Sequence, residues 1–104
     1  MKIDFESSGG FANLMLEYRA NTEDLPAELG EELRDLVESA GVFDIRAEEV
    51  APTQAGQPDV IQYQLSVTEG SRQTTITCND VTAPPSLRPL LSRLRELAIQ
   101  QRRE

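Results

Sequence analysis

The sequence predicts an α+β domain: one four-stranded antiparallel sheet with two helices on a single face, in the order β-β-α-β-β-α. Three observations carry this reading. Polar and apolar residues alternate in short segments, the period of a half-buried strand. Two other segments repeat apolar residues every three or four positions, the stripe of an amphipathic helix. Glycine-bearing reversals separate the strands of each pair, and two hairpins with two amphipathic helices pack as one sheet covered on one side.

The first strand opens the chain. Ile3 and Phe5 alternate with Asp4 and Glu6, and Ser8-Gly9-Gly10 can supply the positive φ angles of a tight reversal. A fold that begins at residue 1 is expected to leave no targeting peptide in front of it, and no basic region followed by an apolar block is visible there. The second strand is expected from about Ala12 to Arg19. Leu14, Leu16 and Tyr18 take one face, and Asn13, Met15, Glu17 and Arg19 the other, so Met15 makes the outer face partly apolar. Asn21-Thr22-Glu23-Asp24 breaks the strand.

A first helix is expected to begin near Asp24 or Leu25, with Pro26 in its first turn, where a missing N–H costs nothing. Leu29, Leu33, Leu36, Val37 and Ala40 form its apolar stripe. Glu28, Glu31 and Glu32 suit the positive end of the helix dipole. Gly30 is a local misfit, costing about 1 kcal/mol against alanine. Gly41 is a left-handed stop, after which Val42 and Phe43 can fold back on the last turn.

Residues 46–59 contain Pro52, Gly56 and Pro58 and read as a mobile connection. In the third strand Ile61, Tyr63, Leu65 and Val67 face one way, and Gln62, Gln64, Ser66 and Thr68 the other. A hairpin closes at Glu69-Gly70 or Gly70-Ser71. The fourth strand, Arg72 to Asn79, places Thr74, Ile76 and Cys78 on one face, with Cys78 read as a small core residue. Pro84-Pro85-Ser86 ends the sheet portion, and Ser86 is the expected N-cap of the second helix. Its stripe is Leu87, Leu90, Leu91, Leu94, Leu97 and Ala98; residues 100–104 are expected to fray. The outer sheet face then carries Asp4, Glu6, Glu17, Gln62, Gln64, Thr75 and Thr77.

Composition narrows the function. At 104 residues the chain is long enough for one modest core, so a single domain over 1–104 is expected. With 18 acidic and 10 basic residues the net charge is −8, the wrong sign for displacing counterions from nucleic acid. Residues 1–60 hold 14 acids against 4 bases, whereas residues 61–104 hold 4 against 6, so the acidic field lies mainly in the first half. No run of about 18 apolar residues could span a membrane. Histidine is absent, which removes the usual general base at neutral pH and the commonest metal ligand. The lone Cys78 cannot form an internal disulfide and fits a reducing compartment. The Ser7-Ser8-Gly9-Gly10 turn joins two strands and precedes no helix, so it is no phosphate cradle. No nucleophile, base and oxyanion donor assemble. Neither a catalytic residue, a metal site nor a cofactor is expected; the residues describe a small acidic domain that binds rather than catalyses.

Four segments carry a family likeness. They are Ile3 through Ala12, Leu25-Pro26 through the Glu31–Asp44 stretch, Gln62 through Val67 with its glycine hairpin, and Ala83 through Leu91. In their order and spacing the chain resembles the emfourin family, small protein inhibitors of thermolysin-like metallopeptidases such as protealysin. The connection around Pro52 and Pro58 and the extension from Ile99 to Glu104 depart from that pattern. The resemblance implies a non-catalytic, stoichiometric inhibitor that blocks the cleft of a thermolysin-like zinc metallopeptidase, acting in the bacterial cytoplasm and monomeric when free. The expected contact residues are the turn Ser8, Gly9, Gly10 and Phe11, with Phe11 as apolar anchor, extended by Met15 and Glu17 on the adjoining strand. Two other classes remain open: an adaptor domain using the same sheet edge for another protein, and a small-molecule binder using the Gln62, Gln64, Thr75 and Thr77 face.

Overall fold

The computed structural model describes residues 1–9, 15–45, 61–80 and 82–103. Strands β1 (Lys2–Gly9), β2 (Leu16–Asn21), β3 (Ile61–Glu69) and β4 (Arg72–Asn79) form one antiparallel sheet in the spatial order β2-β1-β3-β4. Helices α1 (Ala27–Ala40) and α2 (Arg88–Arg103) complete the order β-β-α-β-β-α, as expected.

The two-residue period of each strand sorts its side chains into rows across the sheet. Tyr18, Phe5, Leu65 and Ile76 stand in one inner row, and Ala20, Ile3, Val67 and Thr74 in the next. Ile3, Phe5, Leu65, Val67 and Ile76 are each at most 1 % exposed. Leu33 and Val37 of α1, and Leu90 and Leu94 of α2, close over this face and are equally buried. Burying each such side chain contributes about 1.5–3 kcal/mol. Arg93 clasps the helices together: its Nε lies 2.8 Å from Glu32 Oε2 of α1 and its Nη1 3.1 Å from Glu96 Oε2.

Several expectations are corrected in detail. Ser8 and Gly9, expected in the reversal, still belong to β1, and Gly10 lies outside the described residues. Ser8 and Gly9 remain in the ladder opposite Gln62 and Ile61 of β3, while among the described residues the last β1–β2 pair is Ser7 with Leu16. Backbone pairing to β3 continues through Gly9, which takes a positive φ of 97°, as expected of a glycine there. β2 starts at Leu16 and continues through Asn21; the expected positions Ala12, Asn13 and Leu14 lie outside the described residues. Thr22–Asp24 form a separate 3-10 turn, which Asn21 caps by accepting from the Glu23 amide at 3.1 Å. α1 therefore begins at Ala27, and Pro26 occupies its N-cap, with its carbonyl accepting from the Gly30 amide.

Gly41 ends α1 at φ 64°, in the left-handed conformation expected of it. Val42 then buries itself in a second 3-10 turn, Val42–Asp44. Ser86 does not cap α2. Its hydroxyl donates to the Ala40 carbonyl at the end of α1, 3.3 Å away, and the Leu87 carbonyl accepts the first helical bond from Leu91. α2 is continuous to Arg103. The connection 46–59 lies outside the described residues.

Candidate functional site

The face of the sheet away from the helices is formed by the positions of all four strands that the alternation sends outward. Across it run the rows Glu17–Glu6–Gln64–Thr77 and Arg19–Asp4–Ser66–Thr75. The β3–β4 half of these rows is uncharged, and Ser66 Oγ and Thr75 Oγ1 share a hydrogen bond of 3.0 Å. The β1–β2 half concentrates charge. Arg19 reaches Asp4 at 3.6 Å and Glu6 at 3.8 Å. Asp4, Glu6 and Arg19 line a shallow trough of about 700 Å³ with Lys2, Asn21 and Gln64.

Glu6 and Glu17 stand directly opposite each other in the β1–β2 register. Like charges in that position repel, at a cost on the order of 0.2–1 kcal/mol. Arg19 offsets Glu6 at long range, whereas Glu17 has no ion pair among the described residues. Met15, two positions before Glu17, is 65 % exposed and is the one large apolar side chain so exposed among the described residues. Beneath it, Met15, Leu16, Glu17, Ala98 and Gln101 line a groove of about 290 Å³ between β2 and the end of α2. Among the described residues, β2 is an edge strand, paired on one side only.

A second polar cluster lies at the start of β3. The Tyr63 hydroxyl donates to Asp80 Oδ1 at 2.6 Å, the Ile61 amide donates to Oδ2 at 3.4 Å, and Arg88 donates to the Asp80 carbonyl at 2.8 Å. Burial, then the Asp80 hydrogen bond, pushes the Tyr63 hydroxyl up to about 12. Burial, then the nearby Asp80 charge, pushes the Cys78 thiol up to about 11. These groups stay protonated at neutral pH and hold the β3–β4 end in place. A protonated thiol 1 % exposed is no nucleophile, so Cys78 is the core residue its strand position predicts.

Of the expected contact residues, the structure brings Ser8, Met15 and Glu17 to the outer face, with Gly9 at the end of β1. Gly10 and Phe11 lie outside the described residues. The polar residues Gln64, Thr75 and Thr77 are exposed as expected. The Glu6–Glu17 opposition and the Arg19 bridge were not legible, because each depends on the register between β1 and β2. The register is fixed by where the reversal falls, and residues 10–14 between the two strands lie outside the described residues. Among the described residues no helix is long and apolar enough to cross a membrane.

A family model described as Emfourin matches residues 5–95. No curated protein and no solved structure matches the chain.

Proposed function

The chain belongs to the Emfourin family, and from that premise we propose that it is a proteinaceous inhibitor of a thermolysin-like, protealysin-like zinc metallopeptidase. It acts by forming a stoichiometric complex that blocks the active-site cleft and performs no chemistry of its own. The observation that carries the reading is the family match over residues 5–95, nearly the whole fold. The proposal extends to a bacterial, cytoplasmic pair in which the free inhibitor is a monomer.

The geometry supports a protein partner over a small ligand. The outer face is an open trough rather than an enclosed cavity, and small-molecule sites are concave and mostly apolar. Met15 offers an exposed apolar anchor immediately before β2, whose ladder to β1 begins at Leu16. A preorganised contact of this kind loses little conformational entropy on docking. The contact set proposed is Ser8, Gly9, Gly10 and Phe11, with Met15 and Glu17.

Hydrolysis of a peptide substrate by a protealysin-like enzyme, titrated with this protein, tests the proposal. Activity is expected to fall linearly to an endpoint near one inhibitor per enzyme. Full activity in the presence of excess folded protein would remove that peptidase as the target and favour an adaptor role. A Phe11→Ala protein that folds and inhibits with full potency would take Phe11 out of the contact set.

A further inference from the structure

We infer that the edge of β2 left unpaired among the described residues, and the outer face beside it, take an extended basic segment of the protein partner. A lysine or arginine of that segment lies against the Glu6–Glu17 pair, and an apolar side chain two positions along lies in the groove beside Met15. This deepens the proposed function and rests on it for the identity of the partner.

Three features converge. The first is backbone. A strand at the edge of a sheet carries polar groups that another extended chain can pair with, and β2 is paired only to β1 among the described residues. The second is charge. Glu6 and Glu17 face each other directly, Arg19 lies 3.8 Å from Glu6, and Glu17 has no ion pair among the described residues. A cation placed between the two carboxylates removes their repulsion, so the pair selects lysine or arginine and rejects acidic residues. The third is spacing. Met15 immediately precedes β2 and stands two residues before Glu17, and a chain running alongside repeats its side chains with the same period. A basic residue at Glu17 therefore brings its neighbour two positions away to Met15. The groove there, lined also by Leu16, Ala98 and Gln101, has about 290 Å³ of space for an aliphatic side chain.

The β4 edge lacks this combination. Its outward residues Gln73, Thr75 and Thr77 are uncharged and polar. Arg72 at its start is already engaged, with its guanidinium 4.4 Å from the Phe43 ring centroid and 4.0 Å from Glu69.

The test is a titration of the isotopically labelled full chain with a synthetic peptide alternating lysine and valine, followed by amide chemical shifts. Shifts are expected at Met15 to Arg19, Glu6, Ala98 and Gln101, and binding should weaken several-fold between low salt and about 0.5 M. Glu17→Gln should weaken binding while its melting temperature stays level or rises, because the repulsion is gone; a merely structural glutamate would not give that combination. Shifts confined to the β4 edge or to α1, or unchanged affinity in Glu17→Gln, would overturn the inference. The peptidase assay separates the two readings. If the wild-type protein inhibits and Glu17→Gln and Met15→Ser inhibit with unchanged potency, this inference falls and the inhibitor reading stands. If the wild type does not inhibit but the peptide maps to β2, the docking edge stands and its partner is another protein.

Discussion

Gly30 shows how a residue can look wrong in sequence and be required in space. A glycine inside a helix costs about 1 kcal/mol against alanine, and α1 would gain that much from a substitution on propensity alone. A Cβ at Gly30, however, would stand 2.7 Å from the Thr22 carbonyl oxygen. That carbonyl cannot easily yield, since the Thr22 amide is tied to the Met1 carbonyl at 2.8 Å and its side chain accepts from Arg34. Overpacking of this kind costs about 1–3 kcal/mol. Gly30→Ala is therefore expected to forfeit the propensity gain and lower stability by up to about 2 kcal/mol, as read from the urea midpoint; a stabilised variant would show that the 3-10 turn can move. Cys78 makes a second prediction at this scale. Its thiol rises from an ordinary 9.0 to about 11 in the fold, and the Tyr63 hydroxyl from 10.0 to about 12. Below pH 9 both groups are protonated in either state and their contribution is fully present. Above it the unfolded chain ionises first and binds fewer protons than the fold, so stability falls as pH rises to about 12. Cys78→Ala should flatten the part of that fall nearest pH 9, measured by denaturant titration at stepped pH.

At the scale of elements, the local signals were sufficient where a period or a stop residue acts alone. The alternation of β3 and the stripe of α1 follow from side-chain direction, and Leu33, Val37, Leu65 and Val67 are buried as their spacing requires. Gly41 is a stop for the same local reason. Its φ of 64° is strained for any residue with a Cβ. Gly41→Ala is expected to cost about 1 kcal/mol, with earlier amide exchange in the last turn of α1; unchanged stability and exchange would mean that the chain finds another ending. The misread elements are those where a distant partner competes with local chemistry. The Ser8-Gly9 pair suits a turn, but β3 supplies two further ladder positions and keeps both residues in the sheet, Gly9 with the positive φ expected of it. Ser86 suits an N-cap, but the carbonyl of Ala40 at the end of α1 is within its reach once α1 and α2 pack together.

For the whole molecule, the net charge of −8 sets the response to solution conditions. Like charge on a small globule repels itself and destabilises the compact state, and salt at about 0.1 M screens interactions beyond about 10 Å. The melting temperature should therefore rise by a few degrees between low and physiological salt. A falling one would mean that attractive pairs such as Arg93–Glu32 outweigh the repulsion. The same field gives the outer face its direction: three carboxylates, Asp4, Glu6 and Glu17, surround one guanidinium, Arg19, on the β1–β2 half, while the β3–β4 half is neutral. The sequence by itself determined the fold class, the inward and outward sides of every described strand, the core stripes of both helices and the acidic character. Each of these follows from periodicity or composition, which a chain carries wherever its parts end up. Tertiary structure alone decided that β1 lies between β2 and β3, that Gly30 presses on a carbonyl eight residues earlier, and that Glu6 meets Glu17. Those facts depend on register and close approach between segments, and a single residue of slip would have turned the same side chains to the opposite face.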